Sequence, residues 1–175
     1  TSAAPDPGVS QPAFVTATGG TETTTGDYKI HTFTGDGAFV VSDAGSASGS
    51  NTVDYLVVAG GAGGAIGGGG AGGYRFSDGT ASGSYTTAAG PLTPLGASAI
   101  AVPTGSSPYT ITVGGGGAGT PAPTSVERGT PGDNSVFSSI TSAGGGGAGG
   151  HATAVQPGST GGSGGGGGQA DPCTY

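Results

Sequence analysis

The sequence predicts an all-β fold with packed polyglycine helices of the polyproline-II type and essentially no α-helix. Short alternating runs of β-branched and aromatic residues are separated by Gly, Pro, Ser and Thr, which is the pattern of a turn-rich β protein. Apolar runs then lead directly into glycine blocks. No segment shows a helical apolar period between capping residues.

The glycines are concentrated in four blocks, which hold 29 of the 44 glycines of the 175-residue chain. In residues 60–73, ten of fourteen residues are glycine. The other blocks are residues 114–119, 144–150 and 158–168, and only the last does not follow an apolar strand. The glycine is therefore placed at the exits of strands.

Ordering these blocks is entropically unfavourable, since fixing the backbone of each glycine costs roughly 0.5–1 kcal/mol more free energy than fixing that of an alanine. Extended helices with three residues per turn could offset that loss, because without side chains they can pack closely and pair their backbone groups with each other. A collagen-like triple helix fits poorly because the Gly-X-Y period is missing, and a silk-like stacked sheet stays possible. We expect the alanines at 62, 71, 118 and 148 at the bundle periphery, and these glycines to be structural: Gly60, Gly61, Gly63, Gly64, Gly67, Gly68, Gly69, Gly70, Gly114, Gly115, Gly116, Gly117, Gly144, Gly145, Gly146 and Gly147.

The chain divides into an extended linker or N-terminal arm (1–25), a glycine-rich β domain (26–168) and a C-terminal tail (169–175). The arm has a candidate strand near residues 14–18, and a disordered leader is an equal alternative. In the domain, two β runs at residues 28–33 and 38–42 flank an Asp-Gly pair, which predicts a hairpin.

Further strands are predicted from short apolar or alternating runs. The near-continuous apolar character of residues 53–59 indicates burial on both faces. Residues 95–102 and 109–113 are predicted to pair across the segment PTGSSP. The remaining candidates are residues 74–77, 136–140 and 151–155.

Composition excludes several functions. The net charge is −7, and only three cations are present, so the chain is a poor ligand for nucleic acid or for an anionic membrane. No apolar run is long enough to span a membrane, and the N-terminus has no signal-peptide pattern. A start without Met indicates a mature product or a fragment. The single cysteine, Cys173, excludes an intrachain disulfide.

No pattern of catalytic or ligand-binding residues is present, so we expect a protein that is not an enzyme and binds no cofactor and no metal. The G-x-G-x-x-G matches within residues 61–73 lack the helix that a dinucleotide site requires. His31 has no second ligand at metal-binding spacing and is expected on a strand surface. Arg75 and Tyr85 are the kind of residue that contact surfaces use, and we assign them as possible receptor contacts.

The ordered motifs YKIHTFTGDGAFVVS, VDYLVVAGGAGG, YTITVGGGGAG and GDNSVFSSITSAGGGGAGG resemble the glycine-rich domain of bacteriophage tail-fibre and virion-appendage proteins. Similar alternation occurs in the glycine-rich region of anaplastic-lymphoma-kinase-type receptors. The resemblance implies a jelly-roll-like β-sandwich whose strands each feed a glycine helix. It also implies exposed loops at residues 78–94 and 120–133, and a closing strand after residue 168, which the sequence lacks.

By this resemblance we expect a structural and adhesive module on the virion surface, and so in an extracellular location. Its partners would be copies of itself, a trimer by analogy with fibre proteins, together with other virion proteins and a host surface glycan or protein. A self-assembling extracellular filament subunit is the alternative. An ice-binding glycine-helix protein and a disordered linker are further alternatives that fit the irregular strands less well.

Overall fold

The structure is a computed structural model that describes residues 13–77, 96–121, 127–151 and 156–169. The predicted all-β class is confirmed: the helical content of these residues is one 3₁₀ turn at Thr104–Ser106. None of their helical structure is long enough to cross a membrane. The strands are β1 (Val15–Thr18), β2 (Thr21–Thr25), β3 (Tyr28–Thr32), β4 (Gly37–Ala44), β5 (Thr52–Val53), β6 (Leu56–Val58), β7 (Tyr74–Ser77), β8 (Gly96–Ala97), β9 (Ile100–Ala101), β10 (Tyr109–Thr112), β11 (Ser135–Phe137) and β12 (Ile140–Ser142).

The core lies between two layers of unequal size. The larger layer is a five-stranded antiparallel sheet in the order β1-β4-β10-β11-β12, and the two-stranded sheet β5–β9 packs against it. Alternate residues of β4 and β10 point inward, because successive side chains of a strand face opposite sides. The buried cluster consists of Ala17, Phe39, Val41, Val102, Tyr109 and Ile111. The connection that carries Val102 is fixed by the Tyr109 hydroxyl, which donates to the carbonyl of Pro103 at 2.8 Å.

The predicted hairpin between residues 28–33 and 38–42 is wrong. Strand β3 instead pairs with β2, and the two-residue turn at Gly26 and Asp27 places Gly26 at φ 58°, a left-handed conformation that favours glycine. The Asp36–Gly37 pair serves another purpose: the Asp36 carboxylate accepts a hydrogen bond from the Val113 amide at 2.8 Å. This hydrogen bond fixes the residue before β4 next to the end of β10, and β4 then pairs with β1 and β10 in the large sheet.

Residues 95–102 and 109–113 do not pair with each other, which corrects the second predicted pair. Strand β9 joins β5 in the small layer, whereas β10 lies between β4 and β11 in the large layer. The segment between them crosses from one layer to the other. The run at residues 136–140 is likewise two strands, β11 and β12, joined by a tight turn in which Ser138 has φ 55°.

The N-terminal residues contribute to the folded body. Strand β1 forms an edge of the large sheet, where Ala17 is buried, and β2 forms the exposed ribbon with β3. The predicted strand at residues 74–77 is present as β7. Most of the predicted strand at residues 151–155 lies outside the described residues, and so does the predicted contact loop at residues 78–94.

Candidate functional site

The largest structural feature outside the sheets is a bundle of extended segments rich in glycine. We call these segment I (59–64), segment II (67–73), segment III (114–120), segment IV (128–133), segment V (143–150), segment VI (156–162) and segment VII (163–168). They are joined side by side by backbone hydrogen bonds of 2.6–3.3 Å. Together they form what we call the polyglycine bundle.

The pairing between segments repeats at every third residue. The amides of Gly60 and Gly63 donate to the carbonyls of Asp133 and Thr130, at 3.0 and 2.9 Å. A β ladder would use every second residue on one side, whereas a polyproline-II helix has three residues per turn and so presents the same direction at every third. None of the described glycines in the bundle has a φ in the left-handed region. The segments are therefore polyglycine helices, which excludes the stacked-sheet alternative.

Segment V is the centre of the bundle, and its residues 144–150 are all buried. Its backbone groups bond to segments I, II, IV, VI and VII, so that helices lie around most of its circumference. For example, the Gly145 amide donates to Gly60 and the Gly146 amide to Ser163, both at 2.9 Å. This arrangement satisfies buried backbone groups that would otherwise each cost about 1–3 kcal/mol.

Glycine is required in segment V for space and not for its conformational freedom. A Cβ on any of Gly144, Gly145, Gly146, Gly147 and Gly149 would overlap backbone atoms of a neighbouring segment. Backbone cannot move aside as a flexible side chain can, so a methyl group at these positions would force two helices apart. Ala148 is fully buried in the same segment, which corrects the prediction that this alanine is peripheral, whereas Ala71 and Ala118 are exposed as predicted.

The structure brings the predicted structural glycines together in segments I, II, III and V, but it gives them two environments. Those that face a neighbouring helix have no room for a Cβ, as at Gly63, Gly70 and Gly117. Others are exposed, and an added Cβ would make ordinary contacts or none, as at Gly68 and Gly116. Only the first group is explained by packing within the chain.

Three members of the bundle, segments IV, VI and VII, contain none of the predicted structural glycines. Segment IV lies within what the sequence analysis describes as an exposed loop, yet Gly129 is buried and its amide donates to Ala148 at 3.0 Å. The available signal is the spacing of Gly129 and Gly132 by three residues around Pro131, whose ring fixes φ near the polyproline-II value. Segment VI is tied to segment V through the hydroxyl of Ser159, which accepts from the Gly147 amide at 2.7 Å.

The second feature is an exposed apolar face on the sheet β6-β7-β8. The prediction that residues 53–59 are buried on both faces is wrong, because Leu56 and Val58 are 61% and 54% exposed. Their cross-strand partners on β7 are Phe76 and Tyr74, so all four side chains share one face of the sheet. The rings of Tyr74 and Phe76 lie 5.2 Å apart. We call these four residues the β6–β7 apolar face.

The predicted contact residues are only partly placed. Arg75 is exposed on β7, where it lies opposite Val57 on the other face of the sheet from Tyr74. Tyr85 lies outside the described residues. In the part of the chain that the structure describes, no group of three or more His, Cys, Asp and Glu side chains could hold a metal ion.

A family model described as a glycine-rich domain matches residues 32–174, which is most of the chain. The match begins at the end of β3 and includes the nine strands that follow it, β4 to β12, and every segment of the bundle. No curated protein and no solved structure matches the chain.

Proposed function

The chain belongs to the glycine-rich domain family, and on that premise we propose that it is a structural and adhesive module of a bacteriophage virion appendage, a tail or capsid fibre. In this role the polyglycine bundle is the rigid scaffold and the β6–β7 apolar face makes contact with the host surface. The resemblance of the sequence motifs to those of phage appendage proteins suggests the setting. The chemistry of the polyglycine bundle and of the β6–β7 apolar face supports these two separate roles.

The observation that carries the proposal is the burial of segment V inside a shell of other glycine helices. Six consecutive amides, those of residues 144–149, donate hydrogen bonds to backbone or side-chain oxygens. A bundle held by backbone pairing depends little on ion pairs, and only 7% of the residues of this chain are charged. Such a scaffold is suited to an environment of variable salt and to exposure to proteases, because its backbone is not free to enter a protease cleft.

A contact surface requires side chains that gain from leaving water, and the β6–β7 apolar face provides them. Exposed apolar patches rimmed by polar residues commonly mark interaction sites, and Tyr is enriched among residues that dominate binding. Strand β6 leads directly into segment I and β7 follows directly from segment II. The scaffold therefore holds both strands of the face, which limits the entropy lost on binding. A host surface glycan or protein is the partner that we propose.

The test is binding of the purified, labelled chain to a panel of bacteria that includes aquatic species, with an array of surface glycans as the second probe. Val58→Ser removes apolar area from the face, and Val40→Ser is its matched control. Val40 is also an exposed strand valine, 41% accessible, but lies on β4 outside the face. We expect Val58→Ser to lose most of the binding and Val40→Ser to retain it, with thermal stability unchanged in both.

Equal loss in the two variants, or undiminished binding by Val58→Ser, would remove the β6–β7 apolar face from the proposal. Failure of the unmodified chain to bind any bacterium or glycan would count against an adhesive role. If the same preparation forms long homopolymers in negative-stain micrographs and binds nothing, the filament alternative is the better description.

A further inference from the structure

Packing among the described residues does not explain why several exposed positions of the bundle are glycine. Gly116 in segment III is exposed, its φ is not in the left-handed region, and an added Cβ would lie 3.6 Å from the Gly61 carbonyl oxygen. Alanine would therefore fit there, and it would stabilise the isolated chain by reducing the freedom of the unfolded state. Glycine at such a position indicates that something else must approach the backbone closely.

The free backbone groups of segment I show where that approach occurs. In a helix with three residues per turn, successive amides point in three directions and so form three rows along the axis. Two of these rows in segment I donate hydrogen bonds within the chain. The amides of Gly60 and Gly63 donate to segment IV, and those of Ala59 and Ala62 donate to segment II. The third row, Gly61 and Gly64, points away from both.

These two residues are exposed, and no hydrogen bond joins their amides to another group of the described chain. Their carbonyls accept hydrogen bonds from segment III at 2.8 and 2.9 Å, so segment III runs alongside this row, parallel to segment I.

Segment III adds acceptors to the same place. Its carbonyls at Gly115 and Ala118 accept hydrogen bonds from segment IV on its inner side. The carbonyls of Gly114 and Gly117 are turned by a third of a revolution from these, and within the described residues they accept none. The Cβ direction of Gly116 lies toward segment I, over the space between the two helices.

Segments I and III therefore border a shallow channel, which we call the outer groove, with a row of free N–H groups on one wall and free C=O groups on the other. Each row repeats at every third residue, or about 9 Å along the axis.

We propose that the outer groove seats a polyglycine helix of a second copy of this chain. The occupant must present the opposite partial charges at the same repeat and must lack side chains where it touches Gly116, and a polyglycine helix meets both conditions. It must also bring no charge, because the copies carry the same net charge of −7. The chain's own glycine segments satisfy all of these requirements. This inference rests on the proposed function and deepens it, because the outer groove would be the contact through which copies of the chain assemble into an appendage.

The experiment compares Gly116→Ala with Gly115→Ala by sedimentation equilibrium over a wide range of concentrations. The two glycines are neighbours in segment III, both are exposed, and both have room for a methyl group within the chain. The Gly115 Cβ, however, would point toward Asp133 of segment IV, at 3.6 Å from its carboxylate, and away from the outer groove.

We expect the unmodified chain to self-associate and Gly115→Ala to match it. Gly116→Ala should weaken the association by about tenfold or more, since its methyl group would separate several backbone hydrogen bonds. Calorimetry should show both variants to be at least as stable as the parent when they are dilute. A parent chain that stays monomeric, or equal association by the two variants, would overturn the proposal.

A second measurement needs no variant. Amide hydrogen exchange of Gly61 and Gly64 should slow as the concentration of the unmodified chain rises, and unchanged exchange in an associated sample would place the interface elsewhere. Neither measurement involves a host cell, so self-association without adhesion, or adhesion without self-association, would separate the failure of one proposal from that of the other.

Discussion

The substitution Gly146→Ala tests whether the bundle is held by close backbone packing. Gly146 lies in the centre of segment V, and a Cβ there would overlap the Ser159 carbonyl and come within 2.9 Å of the Gly165 amide nitrogen. Its own amide donates to Ser163 at 2.9 Å, and its carbonyl accepts from Gly70 at 2.8 Å. Segments VI and VII therefore occupy the space that the methyl group would need, and the hydrogen bonds to segments II and VII limit how far Gly146 can move.

The magnitude follows from what must give way. Overpacking a well-filled interior costs typically 1–3 kcal/mol. Weakening two backbone hydrogen bonds adds about 0.5–1.5 kcal/mol each. The lower entropy of the unfolded alanine chain returns only about 0.4–1 kcal/mol. We therefore expect a net loss of about 3 kcal/mol, which for a domain of this size lowers the melting temperature by roughly 6–12 °C.

The control is Gly68→Ala in segment II. Gly68 is exposed, a Cβ on it would meet nothing within 4 Å, and its φ is not in the left-handed region. The same chemical change should then stabilise the chain by about 0.4–1 kcal/mol through the unfolded state alone. Differential scanning calorimetry of dilute protein measures both variants. Gly146→Ala melting within about a degree of Gly68→Ala would refute the packing argument, because the two differ only in what surrounds the methyl group.

Two further predictions concern single groups. Gly115 and Gly145 each occupy the second position of a GGGG run, but only the Gly145 amide is buried and hydrogen-bonded, to the Gly60 carbonyl at 2.9 Å. In dilute protein, hydrogen exchange measured by NMR should therefore be strongly slowed at the Gly145 amide and close to the unprotected rate at the Gly115 amide. Similar rates at the two amides would contradict the assigned pairing. Ser142 is fully buried, and its hydroxyl has no hydrogen-bond partner among the described residues. Because an unsatisfied buried hydroxyl costs about 1–3 kcal/mol, Ser142→Ala should leave the free energy of unfolding unchanged or raise it by up to that amount. A clear loss of stability on denaturant titration would show that the hydroxyl is hydrogen-bonded.

Part of this architecture follows from local chemistry and could be predicted from the sequence. Alternation of apolar residues and the absence of a helical period predict the β class, since each pattern depends only on residues near each other in the chain. The entropy of glycine is also local, so the need for several mutually bonded glycine helices follows from composition. The exits of β6, β10 and β12 into segments I, III and V were accessible for the same reason.

Strand pairing was less accessible because it is decided between distant residues. The Asp36–Gly37 pair has the composition of a hairpin turn, yet its carboxylate is used by Val113 on another strand. The exposed face with Leu56 and Val58 reads in sequence as a buried strand, since a continuous apolar run is also what a strand covered on both sides would show.

What the sequence alone determined is the kind of element: strands, glycine helices, and the order in which they alternate. Only the tertiary structure decided which glycine helix lies at the centre, why segment IV belongs to the bundle, and which glycines face a neighbour. The reason is physical. Glycine has no side chain with which to specify a partner, so equivalent runs such as residues 114–117 and 144–147 acquire different roles only from the helices that the surrounding sheets bring beside them.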